Sequence, residues 1–155
     1  MGLVVALNGL RDYLINYGIT GIDEYNCTVD DESIFNSILE RMNPDEQRGI
    51  IVSYAGLRKN NNQPSEFGGN LQYWIINLNA FFLLWGNIED RSASINSAWA
   101  FVDELANAIV ADSTLDDSVM DCVILRADEP VLYTRQQMNE YLMLGFTIAV
   151  MENLL

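Results

Sequence analysis

The reading of Asn70–Gly86, "NLQYWIINLNAFFLLWG", decides the fold. The stretch is almost wholly apolar, carries two of the three tryptophans, and lies in a chain of 155 residues with a net charge of −14. Its Tyr, Trp, Ile and Phe content and its flanking glycines favour a strand over a helix. Strand side chains alternate between two faces. One face then holds Trp74, Ile76, Leu78, Ala80, Phe82 and Leu84 and is apolar throughout. The other holds Tyr73, Ile75, Asn77, Asn79, Phe81, Leu83 and Trp85 and is mixed. An antiparallel sheet usually turns a polar second face to water. This one is too apolar for water and too polar for a plain core, so something else is expected to cover it. A membrane span is not expected, because Gln72, Asn77 and Asn79 interrupt a segment shorter than the roughly 20 apolar residues a spanning helix needs.

The last strand repeats the pattern. In "EYLMLGFTIAVME", 140–152, Leu142, Leu144, Phe146, Ile148 and Val150 share one side, and Tyr141, Met143, Gly145, Thr147 and Ala149 the other. The simplest arrangement pairs the two segments, with their aliphatic faces under helices. "RGIIVSYAGL", 48–57, and "VMDCVILRA", 119–127, read as further strands. "DEPVLYTRQQMN", 128–139, reads as a connection stiffened by Pro130. "RKNNNQPSEFGG", 58–69, reads as a long polar loop or hairpin tip.

Three helices are expected. Leu3, Leu7, Leu10, Leu14 and Tyr17 fall at helical spacing and Gly18 is a natural stop. A second helix over 31–42 carries Ile34, Phe35, Ile38 and Met42, with Thr28 or Asp30 as cap and Pro44 as its end. The third, within 92–112, carries Ile95, Trp99, Val102, Leu105 and Ile109. Trp74, Trp85 and Trp99 read as packing anchors. The whole chain, 1–155, reads as one α+β domain: an antiparallel or mixed sheet of about four strands with helices mainly on one face.

Composition points away from catalysis. Twenty-two acidic residues stand against eight basic ones, a balance that repels nucleic acid and anionic lipid. There is no histidine, hence no usual general base or metal ligand. Cys27 and Cys122 are far apart and read as reduced thiols of a cytoplasmic product. The N-terminus has no basic stretch before its apolar run and does not read as a signal peptide. Asp30–Asp31, Glu89–Asp90, Asp116–Asp117 and Asp128–Glu129 are carboxylate pairs of the kind that hold Mg²⁺ or Ca²⁺. Each also has a structural explanation at a helix start, a turn or a connection. No phosphate loop or nucleophile elbow occurs. No catalytic, cofactor or metal residue is therefore assigned, and an interaction or assembly protein is expected.

Three runs carry a resemblance: "SINSAWAFVDELANAIVADSTLDD", "VILRADEPVLYT" and "YLMLGFTIAVME". With Leu105 to Ile109 in the helix, Glu129–Pro130 followed by Tyr133, and Tyr141 through Val150 in the last strand, the chain after residue 48 resembles tail terminator (tail completion) proteins of long-tailed bacteriophages. The helix at 31–42 departs from that pattern, in which a loop is usual. The resemblance implies a structural virion protein, not an enzyme: a ring, usually hexameric, that caps the tail tube, stops its polymerisation and docks to the head-side connector. Its partners would be copies of itself, the tail tube protein and that connector, with DNA passing through the bore unbound and no membrane involved. It would be assembled in the host cytoplasm and sit at the head-proximal end of the tail. The second sheet face would be the subunit interface, with Tyr73, Ile75, Phe81, Trp85, Tyr141 and Met143 as its residues. The tip at Arg58, Lys59, Asn60, Asn61, Asn62, Gln63 and Glu66 would reach the tube or a neighbour. Another head–tail connector, neck or tube subunit is the alternative reading. A carboxylate-dependent metalloenzyme is a more distant one.

Overall fold

In a computed structural model of the chain, residues 2–30, 48–59, 70–84, 88–135 and 139–154 are described. In chain order their elements are α1 (Leu3–Tyr17), β1 (Cys27–Val29), β2 (Arg48–Lys59), β3 (Asn70–Leu84), α2 (Ile88–Ala111), β4 (Asp121–Ala127), β5 (Val131–Arg135) and β6 (Asn139–Leu154). The helix expected over 31–42 and the loop tip from Asn60 to Gly69 lie outside the described residues.

The fold is α+β. Its six-stranded mixed sheet runs β1-β2-β3-β6-β4, with β5 pairing β6 beside β4. β3 and β6 form its antiparallel centre, in register from Asn70↔Leu154 to Leu84↔Glu140. This is the pairing expected from their shared two-faced pattern. The sheet has two more strands than the four read from the sequence. Cys27–Val29, taken as the run-up to a helix, pairs parallel with Ile50–Val52. Val131–Arg135, taken as connection, pairs antiparallel with Asn139–Met143. Pro130 stands just before β5, at the sheet's edge, where a missing N–H breaks no ladder bond. β4 and β5 thus act as one edge strand, and the Asp128 N–H carries the ladder between them by donating to the Gly145 carbonyl at 2.8 Å.

Both described helices pack on one side of this sheet. α1 buries Ala6, Leu7, Leu10, Tyr13 and Leu14, a stripe at three- and four-residue steps. It ends where expected, because Gly18 adopts φ +86° and its N–H closes on the Ile15 carbonyl. α2 buries Ala98, Phe101, Leu105, Ala108 and Ile109. The buried stripe is therefore rotated from the one read in the sequence. Trp99 is 45% exposed, and Phe101 takes the central place. A small residue such as Ala98 lets the helix approach the sheet, which turns its neighbour Trp99 outward.

Phe101 holds the layers together. Its ring meets Phe82 of β3 edge-on at 5.4 Å and lies 6.2 Å from Phe146 of β6. Around this trio gather Ile50, Val52, Ile76, Leu78, Leu144, Ile148 and Val150 from the near face of the sheet. The Tyr13 hydroxyl donates to the Ala108 carbonyl and ties α1 to α2. Burial and the nearby Asp112 carboxylate hold that phenol in its protonated form by raising its pKa. After α2, the Asp112 carboxylate accepts from the Thr114 hydroxyl and N–H and from the Asp116 N–H. This ordered turn brings Leu115 into the core with φ +51°.

Replacing Phe101 by Ala removes a fully buried ring that three elements share. It is expected to destabilise the domain by about 3–5 kcal/mol, measured by urea unfolding, with the slope of the transition unchanged.

Candidate assembly surface

The register places the far face of the sheet in transverse rows across β2, β3, β6 and the β4–β5 edge. From one end these are Arg58–Tyr73–Met151–Asp121, Gly56–Ile75–Ala149–Val123 and Ser53–Asn77–Thr147–Arg126. Next comes Ile51–Asn79–Gly145, which Asp128 extends through its bond to Gly145. The last rows are Gly49–Phe81–Met143–Val131 and Leu83–Tyr141–Tyr133. A polar band through Asn77, Thr147 and Asn79 thus divides two apolar ends.

The two ends differ. Ile51, Asn79, Phe81, Leu83 and Tyr141 are buried within the single chain, Phe81 at 3% and Tyr141 at 6% exposure. Tyr73, Ile75, Asn77, Thr147 and Met151 are half-buried. The expected interface residues therefore do not form one surface. Phe81 and Tyr141 are closed off by their own chain, Met143 is half-buried beside them, and Tyr73 and Ile75 stand at the open end. Trp85 lies outside the described residues, as do Asn60, Asn61, Asn62, Gln63 and Glu66; Arg58 and Lys59 end β2. The open end runs on to Val123 at the sheet's edge, and further apolar residues that the sequence reading did not single out follow along that edge towards the closed end. Val123, Leu125, Val131 and Leu132 on β4 and β5 are exposed, Val123 by 48% and Leu132 by 58%. On the opposite edge Tyr54 and Leu57 of β2 are exposed too. The signal for the β4–β5 edge was present in the alternation of "VILRADEPVLYT", but Pro130 and its acidic neighbours masked it.

Gly145 is what lets the polar band close. A Cβ built there would stand 3.1 Å from the Asn79 Oδ1 and 3.1 Å from the Asp128 Oδ2. Both oxygens therefore lie over Gly145, one from a central strand and one from the edge. Asp128 is also held by Arg126, with Nε 2.9 Å from Oδ1.

Cys27 and Cys122 are free and buried, and burial pushes both thiols up to about 12, so neither presents a thiolate at neutral pH. Of the acid pairs, Asp116–Asp117 forms the turn after α2, Glu89–Asp90 falls in the first turn of that helix, and Asp128–Glu129 bridges β4 to β5. Among the described residues, no group of three or more acids and cysteines is placed to hold a metal ion. Among them, no helix is long and apolar enough to cross a membrane. In comparison with known proteins, the chain matches no family model and no curated protein.

Two substitutions separate the ends of the far face. Phe81→Asp buries an unpaired charge and is expected to unfold the domain or cost it about 4 kcal/mol or more. Ile75→Asp, at the half-open end, should cost only about 1 kcal/mol; parallel thermal melts distinguish the two. Gly145→Ala crowds both Asn79 and Asp128 and should cost about 1–3 kcal/mol in the same assay.

Proposed function

We propose that this protein is a virion assembly subunit, a tail terminator of a long-tailed bacteriophage. In this reading its ring, hexameric as in the family it resembles, caps the tail tube, stops tube growth and joins the tail to the head-side connector. The observation that supports it best is the apolar surface left over after the domain has folded. It comprises the half-open end of the far face at Tyr73, Ile75 and Met151, Val123 at the edge beside it, and the exposed apolar residues further along the β4–β5 edge. Exposed apolar residues along an open edge strand favour association with another protein chain.

The charge balance fits the same role. A chain with 22 acids and eight bases does not grip a polyanion. A ring built from it passes DNA through its bore without retaining it. Its contacts are with copies of itself, the tail tube protein and the connector, and no step of the reading calls for a cofactor, metal or membrane. Its place is the head-proximal end of the tail, reached by assembly in the host cytoplasm.

Particles carrying a labelled copy of the chain test the reading by electron microscopy. A sixfold ring of label at the head-proximal end of the tube is the expected image. Label at the neck, inside the head or along the tube would assign the protein to a different part of the particle.

A further inference from the structure

The sheet has two edges that are open over part of their length among the described residues. β1 pairs with Ile50–Val52 only, so no described strand lies against Ser53–Lys59 of β2. At the other side no described strand lies outside β4. Both edges carry a bulge, at Ala55 in β2 and at Leu125 in β4. Bulges bend an edge away from any straight partner. They leave Gly56–Lys59 regular on one edge, and Asp121–Ile124 together with β5 on the other.

The register brings these two segments into the same rows, and the ends of each row complement one another. The row through Tyr73 and Met151 starts at Arg58 and ends at Asp121. The next, through Trp74 and Val150, starts at the exposed Leu57 and ends at the small Cys122. The third, through Ile75 and Ala149, starts at Gly56 and ends at the exposed Val123. Cation faces anion, and a residue without a side chain faces a branched one. Among the described residues, a Cβ built at Gly56 would come within 4 Å only of Ile75, at 4.0 Å.

Resting on the reading above, we propose that copies join head to tail through these edges. Gly56–Arg58 of one copy pairs antiparallel with Asp121–Val123 of the next, and the rows run on from subunit to subunit. The occupant of each edge is a second copy, because the two edges carry opposite charge. Pairing β2 with its own kind would set Arg58 and Lys59 against the same cations. Pairing Asp121–Ile124 with its own kind would set Asp121 opposite Ile124, with no cation across from it, in a chain already at −14. A contact between two different surfaces propagates in one direction and closes into a ring when the rotation allows. In the single chain the Cys122 N–H is held by the Asp121 carboxylate at 2.9 Å. In the joined edge a neighbour's carbonyl takes that amide and the carboxylate turns to Arg58.

Engineered cysteines test the register. Facing residues of antiparallel strands have Cα atoms about 4.5–5.5 Å apart, within disulfide range. Full-length Arg58→Cys and Asp121→Cys proteins, mixed at high concentration and oxidised, should form a disulfide-linked dimer that neither forms alone. The double variant should give a ladder ending at the ring. Gly56→Cys with Val123→Cys, in the third row, serves if a variant of the first pair fails to fold. Native Cys27 and Cys122 are buried and should leave the unmodified chain unlinked. A ring seen by light scattering that gives no ladder with either pair overturns the edge pairing and leaves the ring. A chain that remains monomeric at all concentrations, alone and with tail tubes, overturns both.

Discussion

The long antiparallel pairing of β3 with β6 is the constraint on which the rest of the molecule depends. Once Asn70–Leu84 and Glu140–Leu154 lie in register, every side chain of both strands is assigned to one of two faces. The near face receives Leu78, Phe82, Phe146 and Ile148 and is closed by α1 and α2. The far face receives Asn77, Asn79, Thr147 and Gly145 in the middle and larger apolar side chains at either end. A slip of one residue would exchange the two sets, exposing phenylalanines and burying asparagines. The register is therefore enforced by the whole core and not by any single contact.

The same pairing explains why the far face is divided. Asn79 is buried, and its amide oxygen sits over Gly145, as does the Asp128 carboxylate. A polar group in that position keeps the face from becoming a second uniform core. On one side of it Phe81, Leu83 and Tyr141 are satisfied within the chain. On the other, Tyr73, Ile75 and Met151 remain half-open and lead to the edge at Val123. A surface expected to be wholly intermolecular is thus part core and part open.

Much of this was legible in the residues. The period-two alternation of 70–84 and 140–152 gave both central strands and their pairing, because two long apolar faces of equal length have few other ways to be buried. Gly18 marked the end of α1. What was not legible depended on three-dimensional neighbours. β1 is three residues long and exists because β2 offers it an edge. β5 was hidden behind Pro130, whose lack of an N–H matters only if the strand is internal. Helical spacing alone allowed stripes centred on Trp99 or on Phe101; the Phe82 and Phe146 rings selected Phe101. For the interface, residue type could not separate Phe81 from Ile75, since both alternate on the same face, and only the burial of the folded chain does so.

The surplus of apolar surface at one end of the far face is the claim that most needs a direct test. Hydroxyl-radical footprinting of the full chain, dilute and then assembled, reads it residue by residue. Tyr73 and Met151 should be oxidised in the dilute protein and protected on assembly, while Phe81 and Tyr141 should stay protected in both. Oxidation of Phe81 and Tyr141 in the dilute protein, or equal oxidation of Tyr73 and Met151 before and after assembly, would contradict the division of the sheet described above.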